Sequence, residues 1–321
     1  MKSSRILILT FAAMIAFASN SLLCRLALKQ TGIDAATFTL IRVLSGAAAL
    51  WLIMRIRIRL IVDRTPSPRA DSFSHSSHIS NHSSLRRTTT FAAGDCLSAL
   101  ALFVYAAAFS FAYVDLSAGT GALLLFGAVQ VTMILWGLHN GERLDAIQII
   151  GFVIAITGLV VLIIPGLTAP PLFGSILMAG AGVAWGIYSL RGKAGRDPIG
   201  STAGNFLRAA PFTTALSILL LSRMRLDRAG IFYAVISGAV TSGLGYVIWY
   251  SALSGLNATS AATVQLSVPV LAAAGGILLL GEPLTLRYVL ASLAMLGGIA
   301  LVVIEKNHSG KANDMISSQA R

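Results

Sequence analysis

Gly141-Glu142-Arg143-Leu144 recurs 140 residues later as Gly281-Glu282-Pro283-Leu284, and the apolar runs that follow stay in step, with Gly158 matching Gly298. Upstream the offset becomes 166: Arg25 matches Arg191, Arg42 matches Arg208, and Ala49-Leu50 matches Ala215-Leu216. The offsets differ by 26, so the first copy carries about that many additional residues between the two blocks. The chain reads as an apolar unit written twice, over residues 1–165 and 166–305, followed by a tail at 306–321.

Hydrophobic residues make up 56% of the 321 and charged residues only 11%, which lies outside the profile of a soluble globular domain. In hydrocarbon the backbone must satisfy its own hydrogen bonds within helices or closed barrels, and the long continuous apolar runs select helices. An all-α membrane protein of ten transmembrane helices is predicted. The first five fall near 6–26, 35–54, 93–113, 118–138 and 146–164, and the second five near 172–190, 201–221, 230–253, 258–280 and 286–304. Lys2, Arg5, an apolar stretch and Ala16-Phe17-Ala18 also resemble a signal peptide. The repeat argues against cleavage, because the copy of this segment around Gly182 to Arg191 is internal.

The net charge of +12 does not indicate a nucleic-acid partner, since the basic residues sit between and at the ends of apolar runs, where they report topology. Residues 55–92 join Arg55, Arg57, Arg59, Arg64, Arg69, Arg86 and Arg87 to a Ser/His/Thr-rich stretch that cannot bury a core and reads as a disordered loop. His75, His78 and His82 in such a loop do not define a metal site. With the amino terminus inside, sixteen Lys and Arg fall on the cytoplasmic side and six outside, so both termini are placed in the cytoplasm. Five spans per copy is an odd number, so the copies face opposite ways, as in inverted-repeat transporters.

Arg42 and Arg208 occupy equivalent depths in the second and seventh runs. A charge there costs roughly 2.5–3.5 kcal/mol on insertion scales, so each faces protein, a polar cavity or the interface. Each either braces the structure through backbone carbonyls and headgroups or attracts an anionic substrate group such as a carboxylate. No Asp or Glu lies near the middle of a run. Asp95 comes nearest and reads first as a helix-start residue complementing the helix dipole. Asn20, Gln130 and Gln265 need partners in lipid and face other helices or a cavity. Trp185, Tyr188, Tyr246, Trp249 and Tyr250 fit either a cavity or an interfacial belt. Pro269 in the ninth run frees a carbonyl one turn earlier, which can build a site or a kink. Glycines four apart, Gly137/Gly141, Gly182/Gly186 and Gly200/Gly204, permit close helix contact. Cys24 and Cys96 lack any CxxC or His pairing and read as packing residues. No HExxH, GxSxG, GxxxxGK[ST] or metal-spaced Cys/His cluster occurs in the runs, so an enzyme, an ATP-driven pump, and a cofactor or metal requirement are not expected.

Two five-run halves, each with Gly-Glu-x-Leu before a last run carrying Gly158-Leu-Val-Val or Gly298-Ile-Ala-Leu-Val-Val, resemble the EamA-like branch of the drug/metabolite transporter superfamily. The resemblance spans the chain except residues 55–92 and the tail after 305. It implies an alternating-access carrier of small molecules, with a cavity lined mainly by helices one, three, four, six, eight and nine. Asn20, Gln130, Trp185, Tyr188, Tyr250 and Gln265 are then the candidate substrate contacts, with Arg42, Arg208 and Pro269 in structural or electrostatic roles. The expected protein is a bacterial inner-membrane exporter of small metabolites such as amino acids or related compounds. A flippase for a lipid-linked intermediate and a non-transporting scaffold using the 55–92 segment are the alternatives. Val129 stands where the second copy has Pro269, so any role of that proline is not symmetric.

Overall fold

A computed structural model describes residues 2–62, 94–141, 143–164, 166, 169–192, 197–253, 255–256 and 264–319. Among them every regular element is helical. The first five helices are α1 (Lys2–Gln30), α2 (Ala35–Val62), α3 (Cys96–Ala112), α4 (Ala118–His139) and α5 (Ala146–Ile163). They are followed by α6 (Leu172–Gly192), α7 (Pro198–Leu219), α8 (Arg228–Leu253), α9 (Ser267–Leu280) and α10 (Leu286–Gln319).

The ten apolar runs coincide with these ten helices, and seven of them, α1, α2, α4, α5, α6, α8 and α10, are long and apolar enough to cross a membrane. α3 and α9 are apolar but shorter, and α7 carries Arg208 and Pro211. The outer surface is apolar: Leu278 and Leu219 are 82% and 80% exposed, which water would penalise and lipid does not. This is a multi-pass membrane protein.

Two boundaries differ from the expected ones. α2 continues to Val62, so the first eight residues assigned to the 55–92 loop are helical. Arginine is a good helix former, and Arg57 on the added turns is anchored to Asp197 at 2.9 Å. The rest of that loop, 63–92 with its three histidines, lies outside the described residues, as does Glu142. Residues 257–263 of the ninth run lie outside the described residues, Val264 and Gln265 are helical, and Pro269 falls in the first turn of α9. α10 runs on through Gln319, so most of the expected tail is helical.

The repeated glycine has a conformational reason. Gly281 caps α9 at φ +63° and Gly141, its counterpart, stands at φ +87°, a region that penalises any Cβ. The left-handed turn folds the chain back so that the Glu282 amide donates to the Gly276 carbonyl at 3.1 Å, and the Glu282 side chain enters the bundle.

α1 packs against α8 and α9, and α6 against α3 and α4; α2 packs against α7 and α8, and α3 against α7; α4 packs against α9, and α5 against α10. Small residues set these distances. A Cβ on Gly182 would lie 2.6 Å from the Ala128 Cβ, and one on Gly186 3.0 Å from the Thr132 Cβ, so these two glycines seat α6 on α4.

Candidate functional site

Five helices converge on a polar cluster enclosed in aromatic rings. Asn20 of α1 is its hub: the amide donates to the Tyr105 hydroxyl of α3 at 3.4 Å, and its oxygen accepts from Ser237 at 2.7 Å and Thr241 at 3.2 Å, both on α8. Arg42 of α2 donates through Nη2 to the Tyr105 hydroxyl at 3.0 Å and through Nε to the Ser242 hydroxyl at 3.4 Å. Its guanidinium lies over the Phe109 and Tyr105 rings, 4.8 and 5.2 Å from their centroids. Trp185 of α6 then joins the ring of Tyr105 (4.8 Å between centroids) to those of Tyr246 (5.1 Å) and Tyr188 (5.4 Å).

The three α8 hydroxyls come from one irregular stretch. Residues Ser237–Leu244 form a π-helix inside α8, an uncommon conformation concentrated at functional sites. The wider turn brings Ser237, Thr241 and Ser242 to bear on Asn20 and Arg42.

Phe17, Asn20, Tyr105, Phe109, Trp185 and Tyr246 line a small central cavity, together with residues of α4 and α8. The space admits little more than a water molecule.

Beyond the cavity an ion pair stands toward each end of the bundle. At one end Arg25 of α1 meets Glu282 at 3.0 Å and also donates to the carbonyls of Tyr113 (2.9 Å) and Val114 (2.7 Å) after α3. The Ala118 amide at the start of α4 donates to the same Glu282 at 2.8 Å, so one buried carboxylate ties four helix ends together. An open pocket of about 190 Å³ lies against this node, lined by Asp115, Ser117, Pro170 and Tyr288.

At the other end Asp95 caps α3, accepting from the Ser98 amide at 2.9 Å and its hydroxyl at 2.6 Å. Arg191 of α6 joins it at 2.9 Å, and the Asp95 amide donates to Asn205 of α7 at 3.0 Å. Burial opposes ionisation of Asp95, but hydrogen bonds from Ser98 and the Arg191 guanidinium outweigh it and hold the carboxyl below its ordinary 3.8. The sign follows: a depressed carboxylate stabilises the fold above pH 3.8, and that contribution is lost as pH falls through the lower folded value. Asp95→Ala should therefore be less stable than the parent by about 1 kcal/mol at pH 7, the usual worth of such a cap. Thermal melts from pH 7 down to 3 should show the gap narrowing below 3.8. A constant gap across that range would contradict this.

The sequence-derived candidates separate into groups. Asn20 and Trp185 line the cavity. Tyr188 stacks on Trp185, and both Tyr188 and Tyr250 reach Thr202 of α7, toward the Asp95–Arg191 pair. Gln130 is buried on α4 one turn past the lining residue Phe126. Gln265 is half-buried just before α9, and Pro269 is buried in its first turn. Arg42 is 2% exposed, whereas Arg208 is half-buried on α7. Tyr105, Ser237, Thr241 and Ser242 were not singled out by sequence reasoning, and Arg25 and Glu282 were read only as repeat-matched positions. A lone tyrosine in alanine-rich α3 and three hydroxyls within six residues of α8 were the available signals.

The profile of the EamA-like transporter family matches residues 172–304. The chain is 52% identical over 303 residues to an uncharacterized protein of Pseudomonas aeruginosa, covering 94% of this chain and 96% of that one. It is 29% identical over 197 residues to an uncharacterized transporter of Archaeoglobus fulgidus (59% of this chain, 69% of the relative). It is also 29% identical over 196 residues to a probable amino-acid metabolite efflux pump of Escherichia coli (56% and 66%). A crystal structure of a protein 18% identical to this one superposes with a TM-score of 0.61, covering 94% of this chain and 98% of that chain, and so has the same fold.

Proposed function

This chain belongs to the EamA-like transporter family, and we propose that it is a secondary carrier that exports small metabolites, amino acids or related compounds among them, by alternating access. Members of that family are transporters rather than enzymes.

The observation that carries the mechanism is the exchange pattern of helix contacts around the cavity. Adding five to each helix number of the first half, and subtracting five in the second, turns α1·α8 into α6·α3, α1·α9 into α6·α4, and α2·α8 into α7·α3. The same exchange leaves α2·α7, α4·α9 and α5·α10 unchanged, and all of these are observed contacts. Such exchange is what two interlocked halves, 1–165 and 166–305, produce, and five spans per half invert one against the other. Rocking of the halves would open the Arg25–Glu282 end and the Asp95–Arg191 end alternately. Excess Lys and Arg on the Arg191 side supports placing that end and both termini, including the 306–321 tail, in the cytoplasm of a bacterial inner membrane.

In this reading Asn20 and Trp185 meet the cargo directly, and Tyr188, Tyr250, Gln130 and Gln265 meet it along the path to either side. Arg42 and Arg208 set the electrostatics, and Pro269 shapes the start of α9. Proteoliposomes loaded with a metabolite mixture test the proposal: release of defined compounds above that from empty vesicles is expected. No movement of any compound would overturn it.

A further inference from the structure

Among the described residues, Arg42 is a buried cation without a counter-ion. It is 2% exposed, and the ion pairs among the described residues engage Arg25, Arg57 and Arg191 instead. Its two hydrogen bonds go to neutral hydroxyls, those of Tyr105 and Ser242, and its Nη1 has no partner. Both hydroxyls, and the Phe109 ring beneath the guanidinium, belong to the wall of the central cavity. A charge about 10 Å inside α2, seven residues from its start, is costly in lipid, and cation–π contacts offset only part of that cost.

From this geometry we infer that the cargo is an organic acid, with one carboxylate-type group taken by Arg42 and a flat apolar body held among Tyr105, Trp185 and Tyr246. The inference rests on the carrier reading above and names the charge of its substrate. A guanidinium presents paired N–H donors that match a carboxylate, and here the unpartnered Nη1 stands beside Nη2, whose present acceptor is a rotatable tyrosine hydroxyl. The fixed charge nearest the site is Arg42, which stands behind the wall in contact with its Tyr105, Ser242 and Phe109, whereas the equivalent Arg208 is half-buried on α7. It offers no carboxylate to an ammonium group, since the lining residues are aromatic, aliphatic, amide and hydroxyl. The π-helical stretch serves the same end: Ser237 and Thr241 hold Asn20 in place, and Ser242 holds the guanidinium beside the space.

Three near-isosteric probes separate the charges: phenylacetate, phenylacetamide and phenethylamine, tested at pH 7 on the purified full chain by thermal shift and tryptophan fluorescence. Phenylacetate should bind at least about 10-fold more tightly than either of the others, as expected for hydrogen bonds to a charged group. Arg42→Gln should weaken phenylacetate about 10- to 100-fold, with Arg42→Lys intermediate. The empty Arg42→Gln protein should melt no lower than the parent, because it loses an uncompensated charge rather than a brace.

Equal or tighter binding of phenylacetamide or phenethylamine would overturn the inference. So would phenylacetate binding that Arg42→Gln leaves unchanged, or a marked fall in the melting temperature of the empty variant. In vesicles, release only of compounds lacking an anionic oxygen group would defeat this inference while leaving the carrier reading intact. Absence of any release would defeat the carrier reading itself.

Discussion

Arg25→Ala should cost about 3–5 kcal/mol of stability, the largest effect expected of any single charge removal in this protein. The substitution leaves Glu282, a carboxylate 6% exposed, with the Ala118 amide as its remaining donor, and it releases the carbonyls of Tyr113 and Val114 at the end of α3. Removing one partner of a buried pair is costly because the other keeps its charge without compensation. Arg25→Ala/Glu282→Ala should therefore recover part of what Arg25→Ala loses. Arg191→Ala supplies the contrast. It occupies the matching position of the second copy, but its pair with Asp95 is 41% and 47% exposed, so about 1 kcal/mol or less is expected. Thermal unfolding of the three variants in one detergent decides the matter, and similar losses for Arg25→Ala and Arg191→Ala would contradict it.

The contrast between those two arginines shows which features were legible in the amino-acid order. Apolar runs are imposed by the solvent, since each spanning segment must bury its own backbone bonds in hydrocarbon, and among the described residues each run contains a helix, seven of them long and apolar enough to span. Helix ends were less legible, because the arginine-rich end of α2 has the composition of a loop and the backbone preference of a helix. Arg42 stood out as a charge at depth, yet its difference from Arg208 depends on what packs against each, which a repeat alignment cannot convey. Glu282 was visible only as a turn residue, although Gly281 turns it inward to meet a side chain 257 positions away. The aromatic candidates were equally suited to a cavity or an interfacial belt. Packing distributed them, with Trp185 to the cavity wall and Tyr188 and Tyr250 toward the Asp95 end.

The second large effect concerns a seam remote from the cavity. Gly298→Leu should disrupt the α5·α10 contact, because even its Cβ would stand 2.7 Å from the Ala155 amide nitrogen and against the Gly151 carbonyl oxygen. Those are backbone atoms, so no rotamer change relieves them and the two helices must separate. Overpacking of this kind costs about 1–3 kcal/mol, and more where backbone has to move. Gly158 is the repeat counterpart of Gly298 and meets α10 in the same manner, 2.9 Å from the Ala294 Cβ and the Met295 amide nitrogen, so Gly158→Leu should behave alike. Gly297→Leu is the control, since nothing lies within 4 Å of its Cβ and the side chain would enter lipid. No residue of α5 or α10 lines the central cavity, so the surviving folded fraction of Gly298→Leu should bind cargo with the affinity of the parent. Measured together, lower stability with unchanged affinity would mark α5·α10 as a scaffold seam, distinct from the helices that line the cavity. A loss of affinity at full stability would instead place that seam in the transport cycle.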